Sequence, residues 1–449
     1  MEGKKRAVLR LSVAQTIIIS FVTVILVGTL LLCAPFSSAS GEWTDFTTAL
    51  FTATSATCVT GLTVVTTASY FSLAGQIIIL CLIQVGGLGI MTIISIFSVL
   101  MRSSSSLRKR TIAMQAAGAI SYSEIKALLR RIFLGTFIIE IIGALVLAAR
   151  YIPEYSVAKG IKYAVFTAVS AFCNAGFDVF GSDSLTRFSA DPLVLFTISF
   201  LIIIGGIGYI CWFDFTKHRF KFSHYSLHSK IALTMAGFLL VFGTAVFTFT
   251  EYNAAFSEMP FAQKIMNAFF ESTTLRTAGF YTVDQAKLSE GGVLTAYILM
   301  FIGGASGSTA GGLKTTTFAV LMFTFIANLR NDERVVAFKR RLPLSTIKAA
   351  FSIVFAYFSL LFIAVIAILA IETGKTGMTM QNVLFESISA IATVGVTRGI
   401  TADLATASRL IITLLMFAGR IGGFTFMLAF TGAHERTATL RPKENILIG

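Results

Sequence analysis

The chain has 449 residues, 55% of them hydrophobic and only 13% charged, with a net charge of +14. Soluble domains carry about twice that charged fraction, so a chain this long has too little polar surface for a set of soluble domains, and a cytosolic enzyme is excluded as the main architecture. The four histidines (His218, His224, His228 and His434) lie in polar segments, and the five cysteines (Cys33, Cys58, Cys81, Cys173 and Cys211) form no Cys-x-x-Cys pair. The apolar part therefore holds no histidine-based metal or acid–base cluster, and the cysteines read as small packing residues.

In chain order, Lys4, Lys5 and Arg6 precede an apolar run over 11–41 that is too long for the core of a signal peptide and reads as a first span. Further uncharged runs cover 46–101, 192–213, 231–250, 291–313 and 349–371. Two more, 132–149 and 410–433, are each interrupted by one charge, Glu140 and Arg420. A span needs roughly 20 residues. Basic residues number four up to Arg10, seven over 102–131, four over 217–230, six over 330–348 and three in the tail, which is 24 of the 36 in the chain. These segments face the cytoplasm by the positive-inside rule. The segments near 34–45, 150–162, 251–264 and 372–377 are acidic, mixed or poor in charge, and face outward.

A parity argument follows. Residues 34–45 are outside and Arg102 is inside, so an odd number of crossings separates them. The uncharged run between them would be about 84 Å long as straight helix, too long for one crossing and tight for three. A short dip from outside, followed by one span, is the economical solution, and irregular backbone at membrane depth is tolerated where protein or a water-filled cavity surrounds it. The other outside-to-inside stretches read the same way.

The dips repeat in register: LFTATSATCVTGL (50–62), VFTAVSAFCNAGF (165–177), AFFESTTLRTAGF (268–280) and LFESISAIATVGV (384–396). Gly61, Gly176, Gly279 and Gly395 align. Ten residues before each stands Phe51, Phe166, Phe269 or Phe385, and six before stands Ser55, Ser170, Thr273 or Ser389. A second glycine cluster follows each: Gly86-Gly87, Gly205-Gly206, Gly303-Gly304, and Gly419 with Gly422-Gly423. Four matches in register define an internal repeat. The fold class expected is an all-α polytopic membrane protein of four M1–P–M2 repeats, with eight spanning helices and four re-entrant pore helices around a pseudo-fourfold pore. The repeats cover 8–101, 120–217, 226–329 (with a broken M2) and 345–433, and 434–449 is a cytoplasmic tail.

This pattern suits cation passage. A short helix ending inside the membrane directs its negative dipole end towards the centre. Beyond it, glycine permits torsions that turn carbonyls inward, and rings of carbonyls can replace a cation's hydration shell. The candidate filter is Cys58, Val59, Thr60 and Gly61; Cys173, Asn174, Ala175 and Gly176; Arg276, Thr277, Ala278 and Gly279; and Ala392, Thr393, Val394 and Gly395. The hydroxyls of Thr60, Thr277 and Thr393 are expected to support the strips. The second clusters read either as pore elements or as small residues at helix contacts.

Residues 300–317 read MFIGGASGSTAGGLKTTT, with five glycines inside an expected span. Each glycine costs about 1 kcal/mol in a helix relative to Ala, so the helix should be interrupted here. The stretch nearly matches a phosphate-binding loop, but it has one residue too many before Lys314 and no preceding strand. It reads instead as an intramembrane loop obstructing the pore, made of Gly303, Gly304, Ala305, Ser306, Gly307, Ser308, Thr309, Ala310, Gly311 and Gly312, with Lys314 and Arg420 as the charges beside it. Lys314 would snorkel. Arg420 faces the interior or a water-filled cavity, either as a barrier in the pore or as a snorkelling or carbonyl-paired structural residue. Glu140 is left between pairing, packing and transport. Glu271 and Glu386 are candidates to pair with Arg276 or Arg398, or to serve surface roles.

These motifs resemble the Trk/Ktr/HKT superfamily of K+ transporters, closest to the KtrB-type membrane subunit. The resemblance runs over nearly the whole chain. It is carried by TCVTGL at 57–62, NAGF at 174–177, RTAGF at 276–280, TVGV at 393–396, QVGGL at 84–88, the 303–312 loop, GRIG at 419–422 and the terminal 444–449. It implies four M1–P–M2 repeats, and K+ selectivity where all four filter positions are glycine, as here. Cys58 departs from a frequent Thr, with little effect expected because its carbonyl is the working group. The resemblance also implies a gate loop contacted by Arg420, K+ as the transported ion with Na+ as a possible stimulant, and no organic cofactor. Its implied partners are the lipid bilayer, a second copy in a homodimer and a cytosolic nucleotide-binding regulatory ring of the KtrA type, with no nucleic acid. The implied location is the cell (cytoplasmic) membrane, with both termini cytoplasmic. Two other classes compete: a Na+-coupled symporter or Na+-permeable carrier working by alternating access, disfavoured because only one repeat reads as broken, and an intramembrane enzyme, for which the paired acids or Ser/His arrangement are missing.

Overall fold

The computed structural model describes residues 13–89, 122–181 and 183–422. The basic N-terminal segment, the Arg108-Lys109-Arg110 loop and the tail at 434–449 lie outside the described residues. The described chain is almost wholly helical, in four successive passages. The first holds α1 (Val13–Cys33), α2 (Phe46–Cys58) and α3 (Leu73–Leu88). The second holds α4 (Tyr122–Tyr155), α5 (Val157–Phe172), α6 (Pro192–Gly206) and α7 (Tyr209–His218). The third holds α8 (Leu227–Thr250), α9 (Phe261–Thr274), α10 (Glu290–Phe301) and α11 (Thr315–Leu329), and the fourth α12 (Leu344–Ile371), α13 (Met380–Ile391) and α14 (Thr406–Ile421). The basic loop before α12 closes through a two-residue antiparallel ladder, Val336–Ala337 with Arg340–Arg341.

The leading helix of each passage is long and apolar: α1, α8 and α12 have 21, 24 and 28 residues, and α4 contributes an apolar stretch of 25. Only 28–33% of their most apolar windows is buried within the chain. Leu30, Val241, Phe249 and Phe355 stand outward and exposed. Apolar surface of this extent is stable against lipid rather than water.

The closing helices are shorter, at 16, 15, 12 and 16 residues for α3, α6, α10 and α14. The sequence marks only the third passage as interrupted. The second is broken too: α6 and α7 meet at an angle of 93°, at Ile207 and Gly208. The run 192–213 is uniformly apolar, so nothing in its hydropathy marks the bend.

Helix starts follow local chemistry. Asp45 accepts from the Thr48 amide at 3.1 Å to start α2, and Asp191 accepts from Leu193 and Val194 at 3.1 and 3.2 Å before Pro192 opens α6. Ser72, Ser156, Ser226, Ser289 and Thr379 cap α3, α5, α8, α10 and α13 in the same way. Each side-chain cap contributes about 1 kcal/mol.

The core joins the passages to one another as well as packing the helices within each. Phe51 and Leu62 of the first pack with residues of the third and fourth, while Phe270, Ala278 and Phe280 of the third pack with the first and second. Of the four register phenylalanines, Phe51, Phe166 and Phe385 are buried, and Phe269 is half-buried beside Phe196.

Candidate ion-conduction site

The short helices α2, α5, α9 and α13 stop three to five residues before Gly61, Gly176, Gly279 and Gly395. The second and fourth residues of the strips 58–61, 173–176, 276–279 and 392–395 share a left-handed conformation. The φ values are 58° and 96° at Val59 and Gly61, 59° and 70° at Asn174 and Gly176, 74° and 84° at Thr277 and Gly279, and 53° and 98° at Thr393 and Gly395. Residues between them, Thr60, Ala175, Ala278 and Val394, have no positive φ. Alternating hand aligns successive peptide groups to one side. Three of the left-handed non-glycine residues are β-branched, a conformation costing about 1–3 kcal/mol each and kept where surrounding structure enforces it.

The glycines close a cycle. A Cβ on Gly61 would lie 2.6 Å from the Ala175 carbonyl oxygen, one on Gly176 2.9 Å from that of Ala278, one on Gly279 2.6 Å from that of Val394, and one on Gly395 2.0 Å from that of Thr60. Each glycine thus faces the carbonyl preceding the next glycine, from the first strip round to the first again.

The strips hang on their helices by backbone bonds of 2.8 Å: Thr60 to Ser55, Ala175 to Ser170, Ala278 to Thr274 and Val394 to Ser389. The register hydroxyls act unequally. Ser55 and Ser389 accept from the amides of Gly61 and Gly395 at 3.1 and 3.0 Å. Thr273 turns back to the Phe269 carbonyl at 2.8 Å, and the Ser170 hydroxyl has no partner among the described residues. The support expected of Thr60, Thr277 and Thr393 is not seen: all three hydroxyls are buried without hydrogen-bond partners among the described residues. Backbone contacts on the helix side, with the hydroxyls of Ser55 and Ser389, already hold the strips.

The second glycine clusters resolve as close packing. A Cβ on Gly86, Gly205 or Gly419 would lie 2.0 Å from the carbonyl oxygen of Thr57, Phe172 or Ile391, the position four before the strip glycine in each case. Three residues on, Gly89, Gly208 and Gly422 all have positive φ, at 81°, 92° and 94°. The sequence reading names Gly422 but not Gly89 or Gly208 of this third register. Its signal was the Gly-x-x-Gly spacing shared by 86–89, 205–208 and 419–422.

In the third passage the helix opens. Ile302 and Leu313 form a parallel bridge at the neck of the loop, with Gly303 N–H donating to Leu313 at 2.8 Å and Thr315 N–H to Gly304 at 3.0 Å. Within it, Ser308 donates to the Ala305 carbonyl at 2.7 Å and Ser306 bonds Thr316 at 2.9 Å. The loop meets the second and fourth passages as well as its own, and Arg420 links it to the first. Ala305 and Thr309 amides donate to Gly206 and Gly205 at 2.9 and 3.3 Å, and the Tyr209 amide donates to Gly307 at 2.8 Å. The carbonyls left free by the bend in the second passage are therefore satisfied by the loop. The Thr309 hydroxyl reaches the Phe172 carbonyl and Asn174 Oδ1, both at 3.2 Å. Gly303 lies against Thr277, Gly311 against Thr393, Gly312 against Ala392, and Gly304 against Ala310 and Gly206. Arg420 completes the set, donating to the carbonyls of Thr309 and Gly86, and to Gly87 at 3.3 Å. Lys314 does not snorkel. Its ammonium donates to the Ala310 carbonyl at 2.6 Å, because it sits at the start of α11 with the loop's carbonyls within reach.

The remaining charges differ from expectation. Glu271 and Glu386 pair with neither Arg276 nor Arg398 among the described residues. Glu386 accepts from Thr397 at 2.9 Å and from Thr401. Arg398 donates to Asn382 at 2.8 Å and to the carbonyls of Gln285 and Ala286. Glu140 has no basic partner among the described residues; it accepts from Gln84 at 3.0 Å and lies 3.9 Å from the Cys173 thiol. This ties α4 to α3 and to the second strip, a packing role.

This arrangement fits one class, a polytopic helical membrane protein for ion transport. The family profile of the cation transport protein TrkH matches residues 5–440, and the chain belongs to that family. It is 40% identical to the potassium/sodium uptake protein NtpJ of Enterococcus hirae, over 99% of both chains. It is 37% identical to the Ktr system potassium uptake protein B of Bacillus subtilis (95% of this chain, 94% of the relative) and 38% identical to that of Vibrio alginolyticus (97% and 94%). The crystal structure of the potassium transporter TrkH from Vibrio parahaemolyticus shares the fold, with a TM-score of 0.75 and 19% identity over 96% of this chain and 87% of the other.

Proposed function

We propose that the chain takes up K+ across the cytoplasmic membrane through a pore whose filter is the four strips ending at Gly61, Gly176, Gly279 and Gly395, set around a pseudo-fourfold axis by four M1–P–M2 repeats. The observation that carries this is the closed cycle of glycines, each against the next strip's carbonyl, on strips with the same alternation of hand. Four helix C-termini add their negative dipole ends beneath it. The 303–312 loop is the gate, with Lys314 and Arg420 holding its carbonyls. The names of the relatives support K+ as the cargo. The basic segments support a cytoplasmic position for both termini. The partners in this reading are a second copy in a homodimer and a cytosolic nucleotide-binding ring of the KtrA type; relatives named for a Ktr system support further components. Na+ entry or Na+ stimulation is a second reading, favoured by the relative named for both ions.

The test is flux into proteoliposomes under K+ or Na+ gradients, for the natural chain and for Gly61→Ser. The expected result is K+ preference that falls at least tenfold in the variant, because a Cβ at φ 96° against the Ala175 carbonyl displaces that ring. Unchanged preference in folded protein would remove the filter assignment.

A further inference from the structure

We propose that the bend of the second passage is a second moving part of the gate. When the 303–312 loop withdraws, α6 gains a further turn through Ile210, and Gly208 and Trp212 are the positioning residues that hold the bent state. This rests on reading that loop as the gate.

The backbone bonds at the bend carry the proposal. In a continuous helix the carbonyls of Ile204, Gly205 and Gly206 would accept from the amides of Gly208, Tyr209 and Ile210, each four residues on. The last such bond is from the Ile207 amide to Ile203, at 3.0 Å. Beyond it, φ at Gly208 is 92° and α7 leaves at 93° to α6. All three released carbonyls have other donors. The Trp212 indole N–H donates to Ile204 at 3.1 Å. The amides of Thr309 and Ala305 donate to Gly205 and Gly206 at 3.3 and 2.9 Å, and the Tyr209 amide donates to the Gly307 carbonyl at 2.8 Å. Three of these four substitute bonds reach the loop. A Cβ on Gly208 would lie 2.9 Å from the Ser306 carbonyl oxygen.

Gly205, Gly206 and Tyr209 are buried, and a buried peptide group without a partner is costly. Withdrawal of the loop removes the partners of all three at once. The nearest replacements lie within the passage itself: the Tyr209 amide for Gly205 and the Ile210 amide for Gly206. Glycine at 208 can exchange its positive φ for a helical one without a side-chain penalty. Trp212 opposes the exchange. Its ring packs on Tyr209 and Phe172, with centroids 5.3 and 5.8 Å apart, and lies against Gly135 of α4, so its N–H keeps Ile204 occupied. The far end of α7 stays on α8, because the Ser226 hydroxyl donates to Asp214 at 2.6 Å. Only the first turn of α7 is therefore exchanged. Two discrete arrangements of the same polar groups make a switch.

The test compares Gly208→Ala and Trp212→Phe in the full chain, by K+ flux in proteoliposomes and by cryo-electron microscopy. Gly208→Ala should raise flux about fivefold or more, since a positive φ disfavours any residue with a Cβ, and should show α6 helical through Ile210 with the loop displaced. Trp212→Phe, which keeps the ring and loses the N–H, should raise flux about twofold or more. If Gly208→Ala does not fold, Trp212→Phe decides by the same two readouts. Folded variants with unchanged or lower flux and the bend in place overturn the proposal. Raised flux with the bend intact also overturns it, while leaving the loop as the gate. An extended α6 with unchanged flux would keep the exchange of bonds and remove the gate reading.

Discussion

The closing helices of the first and fourth passages and that of the third treat the same place in opposite ways. In α3 and α14 a glycine lets the helix backbone lie against the end of the short helix, with no room for a Cβ. In the third passage the helix ends at Phe301 and thirteen residues of loop and neck follow before α11. The loop makes many of its bonds to other passages: Gly205, Gly206, Tyr209, Phe172, Asn174 and Arg420. The second passage lies between the extremes, packed at Gly205 and bent at Gly208. Glycine thus serves rigidity where it faces a helix end and release from the helix where it recurs five times. A loop held mainly from outside can be released by changing its neighbours.

The contrast breaks most sharply at the packed glycines. Gly86→Leu drives a side chain into the Thr57 carbonyl, and overpacking against backbone should cost about 3 kcal/mol or more. The expected readout is loss of monodisperse protein in detergent. Gly307→Ala, in the loop, meets nothing within 4 Å and should cost only the left-handed torsion, about 1–2 kcal/mol. Equal damage from the two would mean that the packed and looped glycines do not differ in kind.

Next in size is the loop's outer anchor. Arg420→Ala removes bonds to Thr309, Gly86 and Gly87, and hydrogen bonds to charged groups are worth about 1.5–3 kcal/mol. Flux should rise several-fold in proteoliposomes. A folded variant with unchanged flux would make Arg420 a structural residue alone. The smallest effect separates like residues in two strips. Ser55→Ala leaves the Gly61 amide without its side-chain acceptor and should lower stability by about 1 kcal/mol, while Ser170→Ala should stay within about 0.5 kcal/mol. Thermal unfolding of the two variants side by side checks the difference.

Much of this was legible in the sequence, and the reason is the backbone. Gly61, Gly176, Gly279 and Gly395 have positive φ and no space for a Cβ, so the requirement is written directly as residue type. The interrupted third passage was legible because five glycines cannot sit comfortably in one helix. What escaped depends on distant contacts. The bend at Gly208 lies in an evenly apolar run and is matched by loop residues about a hundred positions later. Glu140 finds Gln84, 56 residues earlier and on another passage. The threonine hydroxyls of the strips looked like natural supports, yet whether a hydroxyl meets an acceptor depends on which side of a strip it faces. The anchoring serines were visible as a register, but not that two of the four hydroxyls would serve other purposes or none.

The most direct measurement is anomalous scattering from the protein equilibrated with rubidium or thallium ions, which substitute for K+. The account predicts ion density on the axis enclosed by the carbonyls of the four strips, level with Gly61, Gly176, Gly279 and Gly395. An ordered structure with ions elsewhere and none among the strips would contradict it.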